Sequence, residues 1–136
     1  MSFESLTEPS HEYDEPRPLP RSMMRGFFGR CSSCGLMRLF TSGLQVEEKC
    51  HTCSEELHHH RADDFPAYLN IFITGHVVVA LAIILMGWKL VSMWWVVGLS
   101  CAAALIMAVM LMRPLKGVVV GAQWALRMHG FGGDDE

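Results

Sequence analysis

From residue 68 to residue 112 the chain carries a single charged side chain, Lys89. A soluble globule built on such a run would have no polar face to turn outward, so a bilayer is its expected environment. Residues 68–88 and 93–112 are each long enough for about 30 Å of helix at about 1.5 Å per residue, the depth of a hydrocarbon core. Only Lys89, Leu90, Val91 and Ser92 separate them, which requires an antiparallel transmembrane hairpin over 63–112. Asp63, Asp64 and Pro66 stand where the first helix should begin. Proline suits a first helical turn, and carboxylates favour the positive end of the helix dipole.

Basic residues are distributed unevenly about this hairpin. Lys49, Arg61, Arg113, Lys116 and Arg127 flank the ends that lead to the termini, against Lys89 alone at the turn. Both termini are therefore expected in the cytoplasm. The first twenty residues are acidic and lack an apolar stretch, which argues against a secretory signal or a mitochondrial transit peptide. The first span then serves as its own insertion signal. A net charge of −3 gives no reason to expect a nucleic-acid partner.

Ahead of the hairpin stand two cysteine pairs, Cys31-Ser-Ser-Cys34 and Cys50-His-Thr-Cys53, separated by fifteen residues. This is the spacing of a four-thiolate metal site. Soft sulfurs at tetrahedral reach point to Zn2+ held by Cys31, Cys34, Cys50 and Cys53, with no position left open for chemistry. Free thiolates suit a reducing compartment, in agreement with the expected orientation. Residues 36–40 and 44–46 read as short strands about a Thr41-Ser42-Gly43 turn, giving a zinc ribbon over 23–62. Too small to fold by apolar burial alone, the ribbon should depend on its metal, whose binding in comparable peptides contributes on the order of 10–16 kcal/mol. Gly35 follows the first pair, where the knuckle backbone needs a positive φ; Ser54 holds that place in the second. His51 could replace a cysteine, but thiolates are the softer ligands.

Residues 1–22, acidic and then rich in proline (Pro16, Pro18, Pro20), read as a disordered tail, and 132–136 as a second. Beyond Arg113-Pro114, the polar positions Lys116, Gln123 and Arg127 fall within about 40° on a helical wheel. With Trp124 beside them, residues 113–131 suit an amphipathic helix lying in the cytoplasmic interface. The expected architecture is a small membrane protein: a cytoplasmic four-cysteine zinc ribbon of short β-strands, a two-helix transmembrane hairpin and a short C-terminal interfacial helix.

Other polar residues have plainer readings. His58, His59 and His60 invite a metal, but on a helix neighbours point about 100° apart and the three would not converge on one ion. Asp63 and Asp64 are explained by the helix start, with no nucleophile or second base nearby. His76 is the one ionisable group inside a span apart from the turn; it either hydrogen-bonds the second helix or acts on a cofactor or partner. Met110 and Met112 read as apolar filler. Gly98, Cys101, Ala102 and Ala108 form a small-residue stripe expected to pack near Gly75 and Ala82, or on a partner. No nucleophile–base set, phosphate loop or open metal site is recognisable, so no catalytic residue is assigned and no enzyme is expected.

Several motifs carry a family resemblance. They are Arg-Gly-Phe-Phe-Gly-Arg-Cys-x-x-Cys-Gly at 25–35, the second knuckle at 50–53, Arg-Ala-Asp-Asp-x-Pro-Ala-Tyr at 61–68 and Ile-Phe-Ile-x-Gly-His at 71–76. Arg-Pro-x-Lys-Gly at 113–117, Gln-Trp at 123–124 and Met-His-Gly-Phe at 128–131 complete the set. On these the stretch 25–131 resembles a bacterial family catalogued as domain of unknown function 983. The resemblance implies a small inner-membrane protein and, through genes sometimes near those of haem–copper oxidase subunits and assembly factors, a place in respiratory biogenesis. The chain is then expected to be a non-enzymatic accessory or assembly protein whose ribbon docks on a larger membrane complex such as cytochrome c oxidase. Arg25, Arg30, Arg38 and Arg61 would meet acidic partners or headgroups, and His76 a partner within the bilayer. The alternative is metal or cofactor handling through His58, His59, His60, His76 and the methionines.

Overall fold

The computed structural model describes residues 16–59, 64–88, 91–128 and 131. In chain order the elements are α1 (Leu19–Phe27), β1 (Phe40–Ser42), β2 (Gln45–Val46), α2 (Phe65–Gly87) and α3 (Met93–Ala125).

The helices α2 and α3 are both long and apolar enough to cross a membrane. Their apolar side chains are not gathered into a core: Ile71, Phe72, Ile83, Leu105, Val109 and Met110 are all exposed. Along α2 only Pro66, Asn70, Thr74 and Leu85 are buried. A surface this apolar is at home against lipid and not against water. Among the described residues a polar contact joins the two helices. Asn70 Nδ2 donates to the Ala108 carbonyl at 2.7 Å, and Thr74 Oγ1 donates to Asn70 Oδ1 at 3.1 Å. Of the small-residue stripe, Ala108 takes part in this contact through its backbone carbonyl, and Gly98, Cys101 and Ala102 do not. A Cβ built on Gly75 or Gly98 meets open space among the described residues, and Cys101 and Ala102 are exposed. These residues lie on outward faces, whereas Asn70 lies on the inward one.

Residues 113–131 do not form a separate interfacial helix. α3 runs unbroken through Pro114 to Ala125, about 50 Å in all by helical rise. Proline deletes one intrahelical donor, but the turns on either side continue the helix. The apolar face beyond Pro114 is covered by protein instead of headgroups: Leu115, Gly117, Val119, Val120, Gly121, Gln123 and Trp124 are buried. Part of the cover is α1, which begins in the tail expected to be disordered and runs into the segment expected to open the ribbon. Ser22-x-x-x-Gly26 of α1 meets Gly117-x-x-x-Gly121 of α3 in antiparallel register, backbone against backbone. A Cβ on Gly117 would lie 1.9 Å from the Gly26 carbonyl oxygen, and one on Gly121 2.5 Å from that of Ser22. Small residues at this spacing are what let two helices approach so closely.

The helix α1 forms despite its prolines because Pro20 falls in the first turn, where its missing N–H has no partner to lose. Arg17 anchors its start. Its Nη1 donates to the carbonyls of Trp124 and Phe131, both at 3.0 Å, and its guanidinium lies 4.5 Å from the Trp124 ring centre. The tails at 1–15 and 132–136 lie outside the described residues.

β1 and β2 pair antiparallel, with Phe40 opposite Val46 and Ser42 opposite Gln45. The first strand starts later than residue 36, because the preceding segment is tied back to the first knuckle. Cys31 N–H donates to the Met37 carbonyl and Leu39 N–H to that of Gly29, both at 2.8 Å. Leu39, Phe40, Val46 and Leu57 form one core with Val119 and Val120 of α3 around Cys31 and Cys50. Lys116 Nζ donates to the Leu44 carbonyl at 2.8 Å, and the Arg113 guanidinium sits 5.2 Å from the Phe40 ring centre. The ribbon is thus built onto the end of a membrane-type helix.

Candidate metal centre

Two knuckles of the same backbone design present the four sulfurs. In the first, Gly35 N–H donates to the Cys31 carbonyl at 2.9 Å; in the second, Ser54 N–H donates to the Cys50 carbonyl at 2.8 Å. Each turn closes through the left-handed region, with φ of 72° at Gly35 and 61° at Ser54. The glycine adopts this freely, while a residue with a Cβ is disfavoured there by about 1–2 kcal/mol.

The four Sγ atoms lie within 4.8 Å of one another. The edges are drawn across the two knuckles: Cys31 to Cys53 and Cys34 to Cys50 are each 3.8 Å. In a tetrahedron with metal–sulfur bonds of about 2.3 Å the sulfur–sulfur edge is about 3.8 Å, whereas a disulfide would bring the atoms to about 2.05 Å. The cluster has the dimensions of a four-coordinate metal site, and the four cysteines together could hold an ion.

Its electrostatics call for a cation. Burial pushes the Cys31 thiol up, and burial likewise raises that of Cys53. Desolvation also acts on Cys34, but hydrogen bonds from the backbone of Leu36 and Met37, with those from Cys50 and Cys53, outweigh it and bring its thiol down to about 7. One sulfur is ready to ionise and two resist, so four thiolates coexist only around a positive charge.

Two neighbours close over the cluster. Met37 Sδ accepts the His51 N–H at 3.1 Å and lies 3.9 Å from Cys50 Sγ. Arg25 folds across Gly35, where a Cβ would come within 2.8 Å of its Nε, and donates to the carbonyls of Ser32, at 3.3 Å, and Ser33. Arg25 therefore braces the first knuckle. His51 is outside the sulfur set; its exposed ring lies 3.2 Å from Glu47 Oε1. The Thr41 hydroxyl, with His51 as a lesser contributor, holds the Glu47 carboxyl below its usual range.

The remaining expected residues lie outside the sulfur cluster. His76 is exposed on α2, and its Nδ1–H donates to the Phe72 carbonyl one turn back at 2.8 Å. The interhelical hydrogen bond expected of it is made by Asn70, because His76 finds an acceptor on its own helix. Met110 is exposed, and among the described residues His76 belongs to no group of histidine, cysteine and carboxylate ligands that could hold an ion. Asp64 precedes α2 without a side-chain capping bond. His58 and His59 follow the second knuckle, while His60, Arg61 and Asp63 lie outside the described residues.

Sequence reasoning missed the brace behind the second knuckle. Trp124 Nε1–H donates to Glu55 Oε1 at 2.9 Å, and Arg17 approaches the same oxygen at 3.9 Å. Nothing in the local sequence pairs residues 17, 55 and 124. The helix contact, in contrast, had a signal: small residues four apart at 22 and 26 and again at 117 and 121.

A family model described as protein of unknown function (DUF983) matches residues 40–124, from β1 to the end of α3. The chain belongs to this family. No curated protein and no solved structure matches it.

Proposed function

We propose that this DUF983 protein is a non-enzymatic accessory protein of a bacterial cytoplasmic membrane, whose zinc-bound head docks onto a larger membrane complex. One observation carries the proposal: α3 leaves the apolar hairpin without a break and becomes the core of the head, where Val119 and Val120 pack against the ribbon. A head on a flexible tether samples many orientations. This one stands at a set height and angle above its hairpin, which lowers the ordering cost of a docking event. Four thiolates fill a tetrahedral ion and leave no position for substrate, so the site serves structure. Zinc is the ion that best fits four soft sulfurs in that geometry.

The exposed guanidinium side chains of Arg30 and Arg38, paired through a backbone bridge on the ribbon, offer a basic patch to an acidic partner. Orientation follows from Arg113, Lys116 and Arg127 on the head side of the hairpin, which favours a cytoplasmic head. The haem–copper oxidase and its assembly factors, implied by the family resemblance, are the first partners to test.

The test is a mild-detergent affinity purification from native membranes, with mass spectrometry and an optical haem spectrum of the eluate. The control carries Cys50→Ser with Cys53→Ser. Stoichiometric membrane-complex subunits recovered only with intact cysteines are expected. Recovery of the protein alone, or the same partners with both cysteines replaced, would overturn the docking role of the head.

A further inference from the structure

We infer that Glu56, His58 and His59 form a second, open metal site for a borderline divalent ion such as Zn2+ or Ni2+, separate from the thiolate cluster. Their ligand atoms all lie within 4.8 Å of one another. Convergence of adjacent histidines is excluded on a helix, but this segment is a bridge followed by a turn. Leu57 is buried in the core at 1% exposure. In an extended segment the residues on either side of it share the opposite face, so Glu56 and His58 both point outward. The turn at 58–59 then swings His59 back alongside. The two imidazole rings lie 4.0 Å apart, and His59 Nε2 is 3.3 Å from Glu56 Oε2. Among the described residues the His58 ring has no hydrogen-bond partner that would explain its position.

Two imidazoles and one carboxylate are the donor set of open zinc sites, with at least one position left for water or an incoming ligand. Nitrogens bound at about 2.1 Å to a tetrahedral ion lie about 3.4 Å apart, so the set must close slightly. Glu56 and His58 are exposed, with room for their side chains to shift. His59 is the fixed member: it is half-buried, with its ring 5.9 Å from that of Phe131. The site differs in kind from the thiolate cluster. It is harder in its donors, unsaturated and open to solvent, which are the properties of an exchangeable site.

The two sites are also linked through the backbone. Cys50 N–H donates to the Glu55 carbonyl at 2.9 Å, and the N–H groups of Leu57 and His58 converge on the Glu48 carbonyl at 2.8 and 3.1 Å. The loop that presents Glu56, His58 and His59 is therefore the continuation of the second knuckle. Filling the thiolates orders the second site, and emptying them removes it. This inference does not depend on the docking role proposed above.

The test uses the full-length protein in detergent, carrying a tag without histidine, with one zinc per chain confirmed by elemental analysis. Ni2+ alone is then titrated by calorimetry. One further equivalent is expected. Glu56→Gln, His58→Ala and His59→Phe should each weaken it at least about tenfold, the low end of what even an outer-sphere substitution costs a metal site. His59→Phe retains a ring against Phe131, and retention of the single zinc in every variant separates loss of the site from loss of the fold. His76→Ala should leave the titration unchanged. Absence of a second equivalent, or one that survives all three substitutions, would overturn the inference.

Discussion

In its first twenty residues α3 buries one residue, Val96; in its last thirteen it buries seven. Both stretches are apolar and both are helical, and no break separates them at Pro114. The first turns its apolar side chains outward, as lipid requires, and touches α2 through the polar Asn70–Ala108 contact. The second turns them onto α1 and the ribbon and is ringed by polar contacts from Arg17, Glu55 and Lys116. Apolar composition therefore measures only the need to avoid water. What satisfies that need, hydrocarbon or protein, depends on what else the chain brings to the same place.

The comparison breaks most completely if the metal is taken away. Chelation, or Cys50→Ser, should unfold the head, since metal binding at such sites is worth on the order of 10 kcal/mol. The hairpin, which owes nothing to the metal, should stay inserted. Limited proteolysis of residues 16–59, with alkaline extraction of the membranes, reads both outcomes; a head that resists protease without metal would refute the metal dependence.

The same substitution placed in the two halves of α3 sharpens the contrast. Gly117→Leu drives a side chain into the Gly26 backbone and should destabilise the head by about 1–3 kcal/mol or more. Gly98→Leu meets open space and should cost nothing measurable in the head. Thermal melts of the metal-loaded protein compare them directly, and equal effects would refute the contact between α1 and α3.

Smaller effects follow from single hydrogen bonds. Trp124→Phe removes the donor to Glu55 while keeping an aromatic ring, and should lower head stability by about 1 kcal/mol. Asn70→Ala should weaken the hairpin by about 0.6 kcal/mol, the average for polar contacts between membrane helices, without touching metal content. Unfolding titrations in mixed micelles can resolve the second change. An altered metal stoichiometry on Asn70→Ala would show that the two halves are coupled more tightly than their contacts imply.

Legibility followed the range of the interactions. The cysteine pairs could be read because a four-residue knuckle places its own sulfurs, and even the left-handed turn at Ser54 follows from the comparison with Gly35. The two apolar spans could be read because length and charge are local counts. The segment at 19–27 could not, since its prolines speak for disorder and only contact with Gly117 and Gly121, far along the chain, makes a helix worth forming. His76 stayed open between two readings for a related reason: whether it meets the second helix or faces outward depends on the rotation of α2 against α3.

By itself the sequence determined that this chain has a four-cysteine cluster with metal-site spacing and two helices able to cross a bilayer. Those properties depend on neighbours along the chain and on the balance of apolar and charged atoms. Tertiary structure alone decided that the apolar stretch after Pro114 is the core of the head, that α1 exists, and that Glu56, His58 and His59 face one point. Each of these sets an entropic cost of ordering against contacts made by residues distant in sequence, and that balance cannot be struck until the partners have met.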